Sequence, residues 1–69
     1  MSVHKVIEVL AQSGEGWEDA ARKAVAEASE TVKGIKSVYI KEMLGVVENG
    51  KIVAYRVNAK ITFEVETNR

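Results

Sequence analysis

Alternation of apolar and polar residues dominates the second half of the chain. From Lys51 to Glu66, apolar side chains occupy almost every second position and polar side chains lie between them. This two-residue period is typical of a β-strand with one buried face. The preceding Asn49-Gly50 pair favours a type I′ turn, because both residues tolerate positive φ. The pattern therefore predicts a long β-hairpin in which Glu48 faces Lys51.

The turn also predicts the cross-strand partners of the hairpin. With Glu48 opposite Lys51, apolar residues meet on one face, in the pairs Val46–Val53, Leu44–Tyr55, Ile40–Ala59 and Val38–Ile61. The other face then carries the pairs Ser37–Thr62, Tyr39–Lys60, Lys41–Asn58 and Met43–Arg56. Glu42 disagrees with this pattern, because it falls opposite Val57 on the apolar face. We expect either a β-bulge that moves Glu42 or a partner for it from another subunit.

Two further elements precede the hairpin. Val3–Leu10 is rich in β-branched residues and predicts a strand, which is followed by a polar loop over Gln12–Gly16. Apolar residues three and four positions apart over Trp17–Lys33 predict an amphipathic helix. Gly16 is its expected N-cap and Gly34 the residue expected to stop it. Trp17 is the bulky residue of an alanine-rich stripe, and we expect it to be a core or interface contact.

The predicted element order is strand–helix–strand–strand, a β-α-β-β arrangement of the α+β class. The first strand should run antiparallel to the third, which gives a three-stranded antiparallel sheet of order 1-3-2 packed on one helix. The 69 residues are expected to form a single domain, residues 1–69.

The hairpin is too long for one helix to cover. A strand of about 16 residues spans roughly 50 Å, whereas a helix of about 17 residues spans roughly 25 Å. Val46, Val53 and their neighbours would form an exposed apolar patch of a kind that soluble monomers rarely tolerate. We expect neighbouring subunits to bury this patch in a closed symmetric assembly. The alternative is a curled hairpin that folds back on its own helix.

Composition narrows the classes of function that are open to this chain. The 10 Lys+Arg balance the 10 Asp+Glu, which argues against binding nucleic acid or an acidic membrane through bulk charge. The chain has no Cys and therefore no thiolate metal site or cysteine nucleophile.

No apolar run approaches the roughly 20 residues that span a bilayer, and no signal peptide is recognisable, so we expect a cytoplasmic protein. His4 is the sole histidine, and no serine has a histidine base at a recognisable spacing, so we expect no enzymatic activity.

Several short motifs, taken in order, resemble the dodecin family. They are the Met-Ser-x-His start, Lys-Val-Ile-Glu-Val in the first strand, Trp-Glu-Asp-Ala-Ala at the helix start, Gly45, Glu48-Asn49-Gly50-Lys51 and Tyr55-Arg56-Val57. The resemblance extends over nearly the whole chain. It implies a hollow homo-dodecamer that stores or quenches flavins, such as riboflavin or flavin mononucleotide (FMN), without turnover. Some members of this family also bind coenzyme A, and others lack flavin and are linked to calcium. The resemblance therefore implies coenzyme A and calcium as further candidate ligands.

The resemblance implies four candidate ligand-contacting residues. The tryptophan that stacks on flavin in flavin-binding members corresponds to Ser37, which cannot stack. The glutamine that hydrogen-bonds the flavin edge corresponds to Arg56, while the acidic group five residues after the tryptophan is retained as Glu42. Tyr39 is an alternative stacking residue on the same strand face. We therefore expect weakened or lost flavin stacking.

The leading hypothesis is a non-enzymatic, dodecin-like shell that sequesters a small ligand, with flavin as the family default. One alternative is a calcium-binding variant, whose metal ligands the sequence does not identify. Another is a structural or protein-interaction shell that holds no small molecule.

Overall fold

Three strands and one helix make up the fold of residues 3–65, the part of the chain that the computed structural model describes. They are β1 (Val3–Ser13), α1 (Trp17–Ala28), β2 (Ile35–Glu48) and β3 (Lys51–Val65). The sheet has the order β1-β3-β2, and both strand pairs are antiparallel. The predicted α+β fold, with sheet order 1-3-2 and one helix, is confirmed.

The hairpin turn has the predicted conformation. Asn49 has a φ of 53° and Gly50 a φ of 75°, as a type I′ turn requires. Glu48 pairs with Lys51, and further along the strands Ser37 pairs with Thr62 and Ile40 with Ala59, as predicted.

The predicted register is wrong between Glu42 and Val46. There Met43 pairs with Val57, Leu44 with Arg56 and Val46 with Ala54, each one residue from the predicted partner. Two β-bulges explain the shift: Lys41 is an extra residue in β2, and Val53 is an extra residue in β3 that restores the register. The first bulge moves Glu42 opposite Asn58, which resolves the conflict that the sequence posed. It also places Leu44 on the polar face and Met43 on the apolar face.

The helix is shorter than predicted. It ends at Ala28 rather than at Lys33, and the turn that follows carries a hydrogen bond from Ser29 Oγ to the Ala26 carbonyl oxygen (2.8 Å). Hydroxyl side chains such as those of Ser29 and Thr31 compete for backbone groups and favour helix ends. Gly34 is therefore not the residue that stops the helix, although it does have a positive φ of 79° in the turn before β2.

The first strand is longer than predicted. It continues to Ser13 because Gln12 pairs with Arg56 and Ser13 with Tyr55. Ser13 is buried, and its hydroxyl donates to Asp19 Oδ2 (2.5 Å) and accepts from the Glu15 backbone N–H (2.9 Å). These bonds fix the loop that leads to Gly16, the predicted N-cap of α1.

A small core lies between α1 and one face of the sheet. The helix contributes three alanines and the sheet contributes β3 residues, all of them buried: Ala20, Ala24, Ala28, Val57, Ala59 and Ile61. Alanine allows the helix to lie close to the strands, mainly over β1 and β3. On the same side of the sheet, β2 leaves Val38 and Met43 exposed. Within residues 3–65, no helix is both long and apolar enough to cross a membrane.

Candidate functional site

A concavity of about 380 Å³ lies on the open face of the sheet, the face opposite α1. Strands β1 and β2 form its sides, and β3 runs through its centre. Its lining combines apolar residues with polar and charged ones: Leu10, Ala11, Leu44, Val57, Gln12, Glu42, Arg56 and Asn58. We call this concavity the sheet-face pocket.

The β-bulge at Lys41 assembles this pocket. Arg56 and Asn58 are two residues apart on β3 and therefore project from the same face. Because of the bulge, Leu44 lies opposite Arg56 and Glu42 lies opposite Asn58. On the other side, Gln12 pairs with Arg56 and Leu10 pairs with Asn58. Leu10 remains 78% exposed, so this chain alone provides an open, partly apolar surface.

The pocket holds one cationic and one anionic side chain, Arg56 and Glu42. Arg56 Nε donates to Gln12 Oε1 at 2.6 Å, which leaves the terminal guanidinium N–H groups available to a ligand. Glu42, on the neighbouring strand, contributes a carboxylate that can accept hydrogen bonds. The arrangement suits a small molecule that has an apolar body and both donor and acceptor groups.

A second set of polar residues borders the pocket on the same face. Lys41 Nζ lies 3.4 Å from Glu8 Oε2, so the pair joins β2 to β1 across β3. The Asn58 side chain and then Lys41 lower the pKa of Glu8 below its ordinary value. Glu8 is therefore ionised at neutral pH. The Asn58 Oδ1 atom is buried and, within residues 3–65, has no hydrogen-bond partner.

The structure brings together two of the four residues that the resemblance suggested. Glu42 and Arg56 both line the sheet-face pocket. Ser37 and Tyr39 lie on the same sheet face but outside the pocket, opposite Thr62 and Lys60. Thr62 is six residues from Arg56 along β3, which corresponds to about 20 Å.

Trp17 acts from the opposite face of the sheet. Its Nε1–H donates to the Leu44 carbonyl oxygen at 3.1 Å, and its ring contacts Tyr55 edge to face, with centroids 4.7 Å apart and planes at 81°. The ring also lies beside Gly45, where a Cβ would meet it at 3.7 Å, an ordinary van der Waals distance. Trp17 therefore fixes the backbone of a pocket strand without lining the pocket.

Sequence reasoning missed Leu10, Gln12, Leu44 and Asn58 as pocket residues. Two of them left a signal. Leu10 is an apolar residue between the polar Glu8 and Gln12 on one face of β1. Asn58 is an asparagine in the middle of a strand, where this residue type is depleted. Leu44 was missed because the bulge reverses its face.

Within the described part of the chain, no group of three or more His, Asp or Glu side chains lies close enough together to hold a metal ion.

Comparison with known proteins identifies the family. The Dodecin family model matches residues 3–66. Calcium dodecin from Mycobacterium tuberculosis is 32% identical over 65 residues, which cover 94% of this chain and 92% of that protein. A solved protein from Thermus thermophilus has a TM-score of 0.92 at 28% identity, covering 99% of this chain and all of that one. The solved M. tuberculosis calcium dodecin, described as calcium chelating with a novel calcium-binding site, has a TM-score of 0.80 at 28% identity, covering 97% and 96% of the two chains. The chain belongs to the dodecin family.

Proposed function

We propose that this chain forms a closed homo-oligomeric shell, a dodecamer, that sequesters a small ligand without chemical turnover. The observation that carries this proposal is the amount of surface that one chain leaves uncovered. The chain exposes 5292 Å², whereas a compact monomer of 7.6 kDa exposes about 4,300 Å². Its radius of gyration is 14.4 Å, against about 11 Å for a compact domain of this length.

Part of the uncovered surface is apolar, both at the hairpin end and on the open face of the sheet. At the hairpin end, Val47 is 60% exposed, and Ile52 and Val53 are also exposed. On the open face, Leu10 and Leu44 are exposed beside the sheet-face pocket. The excess area of about 1,000 Å² is similar to the roughly 800 Å² that each partner buries in a standard interface. Assembly would therefore bury this surface and add a further wall to the pocket.

We place the small-molecule ligand in the sheet-face pocket, where Glu42 and Arg56 lie above an apolar floor. Ser37 offers no stacking surface, and Tyr39 lies outside the pocket of its own chain. Flavin binding is accordingly expected to be weak, because stacked aromatic pairs contribute about 0.5–1.5 kcal/mol beyond their burial.

Calcium is the second candidate ligand, favoured by the relative named calcium dodecin at 32% identity. Calcium takes six to eight oxygen ligands, with carboxylates prominent among them, and residues 3–65 of one chain hold no group of three or more His, Asp or Glu side chains that could bind a metal ion. The site would therefore need carboxylates from several subunits, such as one glutamate repeated around a symmetry axis.

A riboflavin titration of the purified oligomer tests whether it binds flavin. Riboflavin fluorescence is expected to be little quenched by the wild type, whereas the Ser37→Trp/Arg56→Gln double variant should quench it. Strong quenching by the wild type would contradict the predicted loss of stacking, and a silent double variant would place the flavin site elsewhere.

Thermal unfolding with and without calcium tests the cation. A ligand that binds only the folded state raises its stability, by about 2.7 kcal/mol at 100 times its dissociation constant. A shift of the melting temperature with calcium, reversed by a chelator and not reproduced by magnesium, would support the calcium site. An unchanged melting temperature would remove calcium from the proposal.

A further inference from the structure

The tip of the hairpin projects beyond the rest of the sheet as a two-stranded arm. β1 ends at Ser13, opposite Tyr55 on β3, whereas β2 and β3 remain paired as far as Glu48 and Lys51. We call residues 46–53 the hairpin arm. Its exposed apolar side chains are Val47, Ile52 and Val53. Because a two-stranded hairpin on its own is only marginally stable in water, the arm requires a surface against which these side chains can pack.

A groove between α1 and β2 offers an apolar surface on the helix side of the sheet. It has a volume of about 420 Å³, and it is open because α1 lies mainly over β1 and β3 and leaves β2 uncovered. Its apolar lining consists of Ala21, Val25, Ala26 and Val38. Glu18 and Arg22 also line it, with Arg22 Nη2 at 3.4 Å from Glu18 Oε2. This recess, which we call the α1/β2 groove, therefore combines an apolar lining with one anion and one cation.

The arm and the groove are complementary in charge. On the arm, Glu48 lies opposite Lys51, and within residues 3–65 neither side chain forms a salt bridge. In the groove, Glu18 lies beside Arg22. An arm that enters the groove with Glu48 toward Arg22 can also bring Lys51 toward Glu18, so that both contacts join opposite charges. Charges at the edge of an interface determine the orientation of the partners more than their affinity, whereas the apolar side chains provide the buried area.

The groove that receives the arm must belong to a second copy of the chain. Val47 is nine residues from Val38 along β2, a distance of about 30 Å, so the arm cannot reach the groove of its own chain. We propose that the hairpin arm of one copy docks in the α1/β2 groove of the next. Because arm and groove are different surfaces, the contact is heterologous, and it closes when the copies form a ring. This inference rests on the proposed function, because it names one surface through which the shell assembles.

Two charge-exchanged variants test the contact from either side. The arm variant is Glu48→Lys/Lys51→Glu, and the groove variant is Glu18→Arg/Arg22→Glu. Each keeps opposite charges within its own chain but makes both contacts with the neighbouring copy repulsive. Exposed ion pairs each contribute little, so we expect sedimentation at low salt to show a roughly tenfold higher subunit concentration at half assembly for either variant.

Combining the two exchanges restores opposite charges across the contact. The quadruple variant should therefore assemble like the wild type. A change in the arm cannot repair a helix that the groove variant has damaged, so this recovery would identify the contact itself. Unchanged assembly of both double variants, or a quadruple variant that assembles no better than the groove variant, would overturn the docking.

Disulfide cross-linking locates the arm directly, because the chain has no Cys of its own. Oxidation of the assembled Val47→Cys/Val25→Cys variant should give covalent oligomers in a denaturing gel, since each copy would provide one thiol to either neighbour. The matched control is Val47→Cys/Glu27→Cys, whose second position is exposed on α1 but lies outside the groove. This control should remain monomeric in the gel, and equal cross-linking of the two variants would overturn the docking.

A second pair and a single variant complete the cross-linking test. The Val47→Cys single variant should remain monomeric, and a covalent dimer from it would show that two arms meet each other instead. If neither Val47→Cys/Val25→Cys nor Ile52→Cys/Val25→Cys cross-links, the arm does not reach the groove. Either result would overturn the proposal.

Failure of the docking and failure of the proposed function give different results. A wild type that sediments as a 7.6 kDa monomer would overturn the shell and the docking together. A wild-type shell whose assembly is unaffected by the charge exchanges, and whose cysteine variants yield no arm-to-groove disulfide, would overturn the docking alone.

Discussion

Gly34 provides a sharp test of how the turn after α1 meets the end of the sheet. Its φ of +79° lies in the left-handed region, and its carbonyl oxygen accepts a hydrogen bond from the Glu64 N–H at 2.9 Å. A Cβ at this position would lie 2.9 Å from the Glu64 carbonyl oxygen, closer than real Cβ contacts. Because the obstructing atom is backbone, it cannot rotate away. Gly34→Ala is therefore expected to destabilise the fold.

The expected loss combines three contributions. A positive φ costs an alanine roughly 1–2 kcal/mol. Displacing the turn weakens the hydrogen bond between Gly34 and Glu64, worth about 1 kcal/mol, and the contact adds strain of the same order. We expect a total of about 2–4 kcal/mol per subunit. Urea unfolding at a fixed subunit concentration measures it, with the fluorescence of Trp17, the sole tryptophan, as the signal.

Gly50→Ala is the matched control. Gly50 has nearly the same φ, +75°, but a Cβ there would meet no atom within 4 Å. The control variant should therefore lose only the roughly 1–2 kcal/mol of the φ contribution. If the two variants lose the same stability, the close approach of Gly34 to Glu64 does not exist in solution, and this account of the turn is wrong.

Two further substitutions, the first also compared at two pH values, have definite expected outcomes. Ser13→Ala removes two hydrogen bonds at a buried position and should cost about 1–3 kcal/mol in urea unfolding; an unchanged midpoint would contradict this. The Ser13 hydroxyl is also the main cause that lowers the pKa of Asp19, so the stability that this carboxylate contributes is present at neutral pH and is lost as the pH falls through its lowered pKa. Melting temperatures at neutral and acid pH should therefore differ more for the wild type than for Ser13→Ala; the reverse order would refute the assignment. Ile61→Ala empties a fully buried position and should cost about 2–5 kcal/mol, whereas a loss below 1 kcal/mol would show that this core is poorly packed.

The fold was largely predictable because local patterns agree with one another. The alternation along β3 requires a strand, and Asn49-Gly50 fixes the turn and the first pair of the hairpin. The end of α1 was not predictable from periodicity, because Val32 continues the apolar spacing although the Ser29 turn ends the helix at Ala28. Periodicity records which face is apolar, whereas a helix end depends on local hydrogen bonds.

The pocket was only partly predictable. Glu42 and Arg56 were singled out through the family resemblance, and both line it. Leu44 was missed because its face depends on the bulge at Lys41, and the same bulge places Glu42 opposite Asn58. A bulge bends the strand that contains it and increases the local twist. It leaves no fixed residue signature, although the misplaced Glu42 signalled that one was needed.

The native mass of the purified protein tests the central claim most directly. Native mass spectrometry and sedimentation at micromolar subunit concentration should give a closed assembly of about 91 kDa, twelve times the 7.6 kDa chain. The same spectrum would reveal any small molecule that the assembly retains. A single, well-behaved species of 7.6 kDa would contradict the shell, since the exposed hairpin and the open pocket would then need no neighbour.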